Sequence, residues 1–245
     1  MRVSRMSNEN IATQVIGCAY SYQVSLSVRR AKTIDSHSSH TREFSFFKKV
    51  ENIADVVREE GTLRLRKHPV TNQSVNHWYE PELAVVLGEQ HRIVGYLLAN
   101  DFTAIDVESE SIGKQDATYV GKVWAGSCSI SSRIVTPAKI DADNLKISLR
   151  IERNREAWER TYTTQQRKWP FEALAKKIVE YYEQLKQEGE LRQSKQIIVE
   201  NGFLPAGTII LTGTGLITPS YWYAQRGDIV SVYCKEIGEL RNKVE

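Results

Sequence analysis

Two acidic residues flanking a proline, followed at once by an unbroken apolar run, constrain this chain more than any other feature. The stretch is His77-Trp78-Tyr79-Glu80-Pro81-Glu82-Leu83-Ala84-Val85-Val86-Leu87-Gly88, and it continues through Gly95-Tyr96-Leu97-Leu98-Ala99-Asn100-Asp101. The apolar runs 83–87 and 93–98 have the length and composition of buried strands, and the connection 88–92 is of hairpin length and contains glycine. Paired antiparallel, they place Glu80 and Glu82 at the start of one strand and Asp101 just beyond the end of the other. Side chains at i and i+2 of an extended segment point the same way, and Pro81 stiffens the backbone between the two glutamates. Three carboxylates at one end of a sheet form a hard, oxygen-only donor set suited to Mg²⁺, Mn²⁺ or Ca²⁺ and not to Zn²⁺. In an octahedral shell, about three positions then stay open to water or substrate. The alternative is that Glu80 and Glu82 are surface acids at a strand edge and Asp101 caps a turn.

The remaining chain supplies a frame dominated by strands. Residues 1–14 read as a flexible N-terminus, and the chain is long enough for one large domain or two small ones. Val15-Ile16-Gly17-Cys18-Ala19-Tyr20 reads as a short buried strand. Residues 21–43, rich in Ser, Arg and His, are too polar to pack and too long for a tight turn, which predicts a mobile loop or lid. Phe44-Ser45-Phe46-Phe47 is strand-like and closes on Lys48 and Lys49. Further strands are expected at 62–66, 130–135, 145–151, 209–211 and 229–233. In 145–151 the alternation of Leu145, Ile147, Leu149 and Ile151 marks a half-buried strand. One long helix is expected at 170–188: Pro170 suits its first turn, Phe171, Leu174, Ile178, Tyr181, Tyr182 and Leu185 give the 3.6-residue stripe, and Gly189 ends it.

Composition narrows the partners. A net charge of +3 spread along 245 residues argues against a nucleic-acid partner. Cys18, Cys128 and Cys234 lie far apart without paired spacing, so neither a disulfide framework nor a thiolate metal site is indicated, and a reducing compartment fits. No run approaches the roughly 18 apolar residues of a membrane span, and no apolar run near the start suggests a signal peptide. The expectation is a cytoplasmic protein with no membrane partner.

The motifs Glu80-Pro81-Glu82-Leu83-Ala84-Val85-Val86-Leu87-Gly88, Ile93-Val94-Gly95-Tyr96, Asn100-Asp101-Phe102-Thr103-Ala104, Gly121-Lys122 and Leu211-Thr212-Gly213-Thr214-Gly215 occur in the order found in the fumarylacetoacetate hydrolase superfamily. Gly227-Asp228 and the closing segment 237–244 fit as well, so the chain resembles that family's catalytic domain over most of 15–245. The resemblance implies an α+β, β-rich fold of rolled mixed sheets with few helices, forming a homodimer or higher homo-oligomer. It implies Mg²⁺, or Mn²⁺ or Ca²⁺, held by Glu80, Glu82 and Asp101, and a small 2-oxo acid as substrate. Such an acid chelates the metal through its carboxylate and keto oxygens, which stabilises an enolate at the next carbon. Lys122 matches the family's active-site lysine, and Thr214, with Thr212 second, and Gly213 match its substrate-contacting turn.

The lid separates the branches of the family. Carbon-carbon hydrolases place a histidine after an Asn-Tyr in the first loop, and Ser25 stands there in this chain. Tyr22, Ser25 and Arg29 instead are similar to the Tyr-x-x-Ser-x-x-x-Arg pattern of the 2-keto-3-deoxy-sugar-acid dehydratases, as are Phe46-Phe47-Lys48, the segment 122–128, Thr163-Thr164-Gln165 and Lys168. Gln23, Ile105 and the segment 110–119 depart from that branch. Within the lid, His37 and His40 carry a group that titrates near neutral pH and suits a general base, and Glu43 is a comparable candidate. The expected catalytic residues are therefore Lys122, Thr214, His40 and Glu43, with Tyr22, Ser25, Arg29, Gly213 and Lys168 binding substrate. The expected reaction is a dehydration of a 2-oxo acid by a hydro-lyase. The alternatives are a carbon-carbon hydrolase using His37 or His40, and a catalytically weak paralogue serving as a binding subunit.

Overall fold

The protein is described by a computed structural model covering residues 12–19, 22, 44–111 and 117–245. The lid apart from Tyr22, and most of the N-terminal segment, lie outside the described residues. Two mixed sheets carry the fold. The first has six strands: β1 (Val15–Ala19), β2 (Ser45–Lys48), β5 (Pro81–Leu87), β6 (Ile93–Asp101), β8 (Cys128–Ile130) and β11 (Ile209–Leu211), in the order β2-β1-β11-β5-β6-β8. Only β1 and β11 run parallel within it. The second sheet has the order β10-β9-β12-β13-β3, from β3 (Thr62–Leu63), β9 (Lys146–Arg153), β10 (Glu156–Thr163), β12 (Ile229–Cys234) and β13 (Gly238–Val244). A small ribbon pairs β4 (His77–Trp78) with β7 (Thr103–Ala104).

Alternation along the strands decides what each face meets. Leu83, Val85 and Leu87 of β5 and Tyr96 and Leu98 of β6 point into the main core. They meet Ile147, Leu149 and Ile151 of β9, Val230 and Val232 of β12, and Leu240 and Val244 of β13. Ala84, Val86, Leu97 and Ala99 face the other way, into a smaller cluster with Val15, Val50 and Ile130. The long helix is α3 (Phe171–Gln187), which buries Phe171, Leu174, Ala175, Ile178, Val179 and Leu185. Pro170 sits at its N-cap instead of in the first turn, its φ of −56° and ψ of 144° leading the chain into the helix. Two shorter helices, α1 (Ile105–Ser111) and α2 (Ala117–Lys122), follow β7.

Several boundaries differ from the sequence expectation. The strand at 130–135 stops at Ile130, because the Ser131 hydroxyl takes the Leu98 N–H and Ser132 turns to Glu59; Val135 returns only as an isolated bridge to Tyr96. The strand at 62–66 shortens to β3, which pairs with β13 at Thr62 and Leu63 only. Strand β10 was not anticipated: of its eight residues only Trp158 and Tyr162 are buried, so its charged face hides the period. Among the described residues no helix is long and apolar enough to cross a membrane.

Candidate metal centre

The β5–β6 hairpin builds the site. Its register pairs Pro81 with Asn100 and Glu82 with Ala99, and the Asp101 N–H donates to the Glu80 carbonyl at 2.9 Å. Alternation therefore puts Glu80, Glu82 and Asp101 on one face, while Tyr79, Pro81, Asn100 and Phe102 take the opposite one. The structure brings one ligand oxygen from each of the three acids within 4.8 Å of one another, and all three are buried. Asp101 is the last residue of β6 and not, as expected, the residue beyond it.

Two lysines converge on the acids. Lys122, ending α2, donates from Nζ to Glu80 Oε2 at 2.6 Å, Asp101 Oδ2 at 3.0 Å and Thr103 Oγ1 at 2.7 Å. Lys49, following β2, pairs with Asp101 Oδ1 at 2.6 Å and donates to the Lys122 carbonyl at 2.5 Å. Lys49 is fully buried and was missed as a site residue; the alternation Phe47, Lys49 from a buried strand was the available signal. Burial alone would raise the Asp101 carboxyl, but the Lys122 and Lys49 ammoniums pull it below the usual carboxylate range. Glu82 goes the other way: burial first, then the charges of Asp101 and Glu80, push it well above that range.

The late glycine-rich turn closes the site beside Glu82. The Gly213 N–H donates to Glu82 Oε2 at 2.6 Å, from a backbone with φ of +84° that favours glycine. Thr212 holds the turn to β5 by donating its hydroxyl to the Leu83 carbonyl at 2.7 Å. The Thr214 hydroxyl is engaged within the turn, with the Leu216 N–H at 3.1 Å and the Leu216 carbonyl at 3.2 Å. Tyr22 is buried edge-on against Tyr162, with ring centroids 5.4 Å apart, and its phenol is pushed upward by burial and then by the Glu82 charge. Lys168 is half-buried with Nζ over the Trp169 ring at 5.5 Å; among the described residues no ion pair or hydrogen bond joins it to the three acids. Ser25, Arg29, His37, His40 and Glu43 lie outside the described residues.

The donor set fits a divalent cation. Among the described residues three buried carboxylates face two ammoniums, and the Asp101 and Glu80 charges add to the effect of burial in raising Glu82. Carboxylate oxygens alone supply the ligands, the chemistry preferred by hard cations.

A family model described as fumarylacetoacetate (FAA) hydrolase C-terminal matches residues 15–245. The chain belongs to this family. Among FAA hydrolase relatives, it is 29% identical over 170 residues to the 2-dehydro-3-deoxy-D-arabinonate dehydratase of Saccharolobus solfataricus, an alignment covering 68% of this chain and 49% of that protein. It is 30% identical over 168 residues to the probable 2-keto-3-deoxyxylonate dehydratase of Haloferax volcanii, covering 67% and 50% respectively. The chain thus spans about half the length of the curated relatives it matches. A solved 2-keto-3-deoxy-D-arabinonate dehydratase complexed with magnesium and 2,5-dioxopentanoate aligns with a TM-score of 0.68 at 24% identity, over 96% of this chain and 73% of that one. The FAA hydrolase fold, α+β with curled sheets and few helices, is accordingly the fold of this chain.

Proposed function

We propose that this chain is a divalent-cation-dependent hydro-lyase acting on a small 2-oxo acid of the 2-keto-3-deoxy-sugar-acid class. The observation that carries the reading is the buried cluster of Glu80, Glu82 and Asp101 with Lys49 and Lys122 set against it. The dehydratase relatives support dehydration over carbon-carbon hydrolysis. Glu80, Glu82 and Asp101 would hold Mg²⁺, or Mn²⁺ or Ca²⁺ in its place, and the cation would supply Lewis acidity to a chelating 2-oxo acid.

The chain's own groups have separate tasks in this reading. Lys122 and Lys49 bring two ammoniums into a site closed to water, where positive charge acts strongly on a developing oxyanion. The Gly213 N–H fixes the Glu82 carboxylate, and Thr214, whose hydroxyl is engaged with Leu216 in the turn, is proposed to turn to the substrate on binding. Tyr22, Ser25, Arg29 and Lys168 are proposed to bind the substrate's carboxylate and hydroxyls, and His40 or Glu43 to move the proton. The free, buried Cys18, Cys128 and Cys234 fit a reducing compartment. A catalytic domain at 15–245 assembling as a homodimer or higher homo-oligomer completes the proposal.

The test is turnover of a 2-keto-3-deoxypentonate with Mg²⁺, read by mass spectrometry. The expected product keeps every carbon and loses one water. Two shorter fragments would establish the hydrolase reading instead. A folded protein that neither turns over substrate nor binds Mg²⁺ or oxalate by calorimetry would establish the binding-subunit reading.

A further inference from the structure

The face of the hairpin opposite the carboxylates is held by a tie to the second sheet. Tyr79 precedes Glu80, Phe102 follows Asp101, and their rings stack across the ribbon with centroids 5.4 Å apart and planes at 23°. His77 also stacks on Phe102, at 5.1 Å and 21°. Tyr79 is fully buried, and its hydroxyl crosses the core to donate to Asp228 Oδ2 at 2.8 Å. Asp228, at the turn into β12, is itself locked by Arg153 at the end of β9, through Nε to Oδ1 and Nη2 to Oδ2, both at 2.7 Å. The Gln225 N–H donates to the same carboxylate at 2.9 Å, and the Arg153 guanidinium lies 5.1 Å from the Trp222 ring. The Thr218 hydroxyl fixes the Tyr79 carbonyl at 2.9 Å.

We propose that Asp228, acting through Tyr79, is a positioning residue that sets the spacing of Glu80 and Asp101 and thereby the site's preference among divalent cations. The inference rests on reading the three acids as a metal centre. Glu80 is joined to Tyr79 by one peptide unit, and Asp101 to Phe102 by another. Any rocking of the Tyr79–Phe102 stack is therefore transmitted to both carboxylates. Mg²⁺ demands near-ideal geometry at about 2.0–2.1 Å, whereas Ca²⁺ accepts longer and more varied contacts. A frame pinned from behind by a bidentate ion pair is the kind that favours the smaller ion. Loosening it costs Mg²⁺ more than Ca²⁺, because only the smaller ion needs its ligands held at one short spacing.

The experiment titrates Mg²⁺ and Ca²⁺ separately into wild type, Tyr79→Phe and Arg153→Lys by calorimetry, with circular dichroism to establish folding. Tyr79→Phe keeps the ring stack and removes only the hydroxyl. The expected result is about a 10-fold loss of Mg²⁺ affinity with a clearly smaller loss for Ca²⁺, in whichever of the two variants is folded. Leu185→Ala, which truncates a buried side chain of α3 that is no part of the tie, is the control for simple destabilisation and should leave the Mg²⁺ to Ca²⁺ ratio unchanged. A wild-type ratio retained in folded Tyr79→Phe and Arg153→Lys overturns the inference and leaves the metal centre standing. A wild type that binds neither cation overturns both.

Discussion

Glu80 and Asp101 share the Lys122 ammonium, and Asp101 takes Lys49 as well, while Glu82 accepts the backbone N–H of Gly213. Without a cation, Glu82 is thus the acid whose ionised form the fold disfavours, through burial first and then the neighbouring Asp101 and Glu80 charges. A carboxyl raised in the folded state costs stability once the pH exceeds its unfolded value, because the unfolded chain then ionises it freely. Glu82→Gln removes that cost and keeps an amide oxygen for the Gly213 N–H. In EDTA at pH 7.5 the variant should unfold at the same or higher denaturant concentration than wild type, yet calorimetry should detect no Mg²⁺ binding. A metal-free variant less stable by more than about 1 kcal/mol would give Glu82 a structural role instead, at the scale of a lost buried hydrogen bond. The acids were legible because i, i+2 alternation and hairpin pairing are local rules. For Lys49 alternation signals burial alone, and its pairing with Asp101 was not legible, because Asp101 stands on β6, with β1, β11 and β5 lying between it and β2 in the sheet.

Among the elements, β1 and β2 show how a strand pair that carries none of the three acids reaches into the site. Phe47 pairs with Gly17 across the two strands, and its ring lies over the glycine so closely that a Cβ there would meet Cζ at 2.2 Å. The same ring carries Lys122 Nζ 5.5 Å from its centroid, so glycine at β1 lets Phe47 lie flat beneath the lysine. Gly17→Ala should cost about 1–3 kcal/mol by overpacking, measured by urea unfolding. Adding Phe47→Leu should return more than half of that loss, and a double variant no more stable than Gly17→Ala would sink the explanation. Elements with a clean period were readable: α3 carries a continuous stripe, and β9 alternates Ile147, Leu149 and Ile151 inward. The short helices α1 and α2 span too few residues to display a 3.6-residue stripe, and β13 places Asn242 in its buried row, where it donates to the Arg58 and Gly61 carbonyls. A polar residue at a core position breaks the apolar alternation by which a strand is recognised.

At the scale of the molecule, the acids occupy the end of one sheet while the core that holds them is shared with the other. Sequence motifs pointed to the family and hence to this pair of rolled sheets, whereas the parallel pairings β1–β11 and β3–β13 join segments far apart in the chain, which no local pattern encodes. The same enclosure makes the fold sensitive to acid through His77. Its ring is fully buried between Phe102 and Trp124, with Nε2 accepting the Arg66 N–H at 3.2 Å, and burial pushes the imidazole down to about 4. Above about pH 6.5 the group is neutral in the folded and unfolded chains alike and has no effect on stability. Below it the unfolded chain binds a proton that the folded one refuses until about pH 4, so stability falls as the pH falls through that window. The full extent is about 3 kcal/mol, from the cost of each pKa unit. His77→Gln removes the titration and keeps a hydrogen-bond acceptor of similar reach. Denaturant unfolding in EDTA should show a wild-type-minus-variant difference that is constant above pH 7 and moves toward the variant by about 3 kcal/mol at pH 4. Taking that difference cancels the carboxylates, which titrate in both proteins, so a flat difference across the range would remove His77 as the acid-sensitive group.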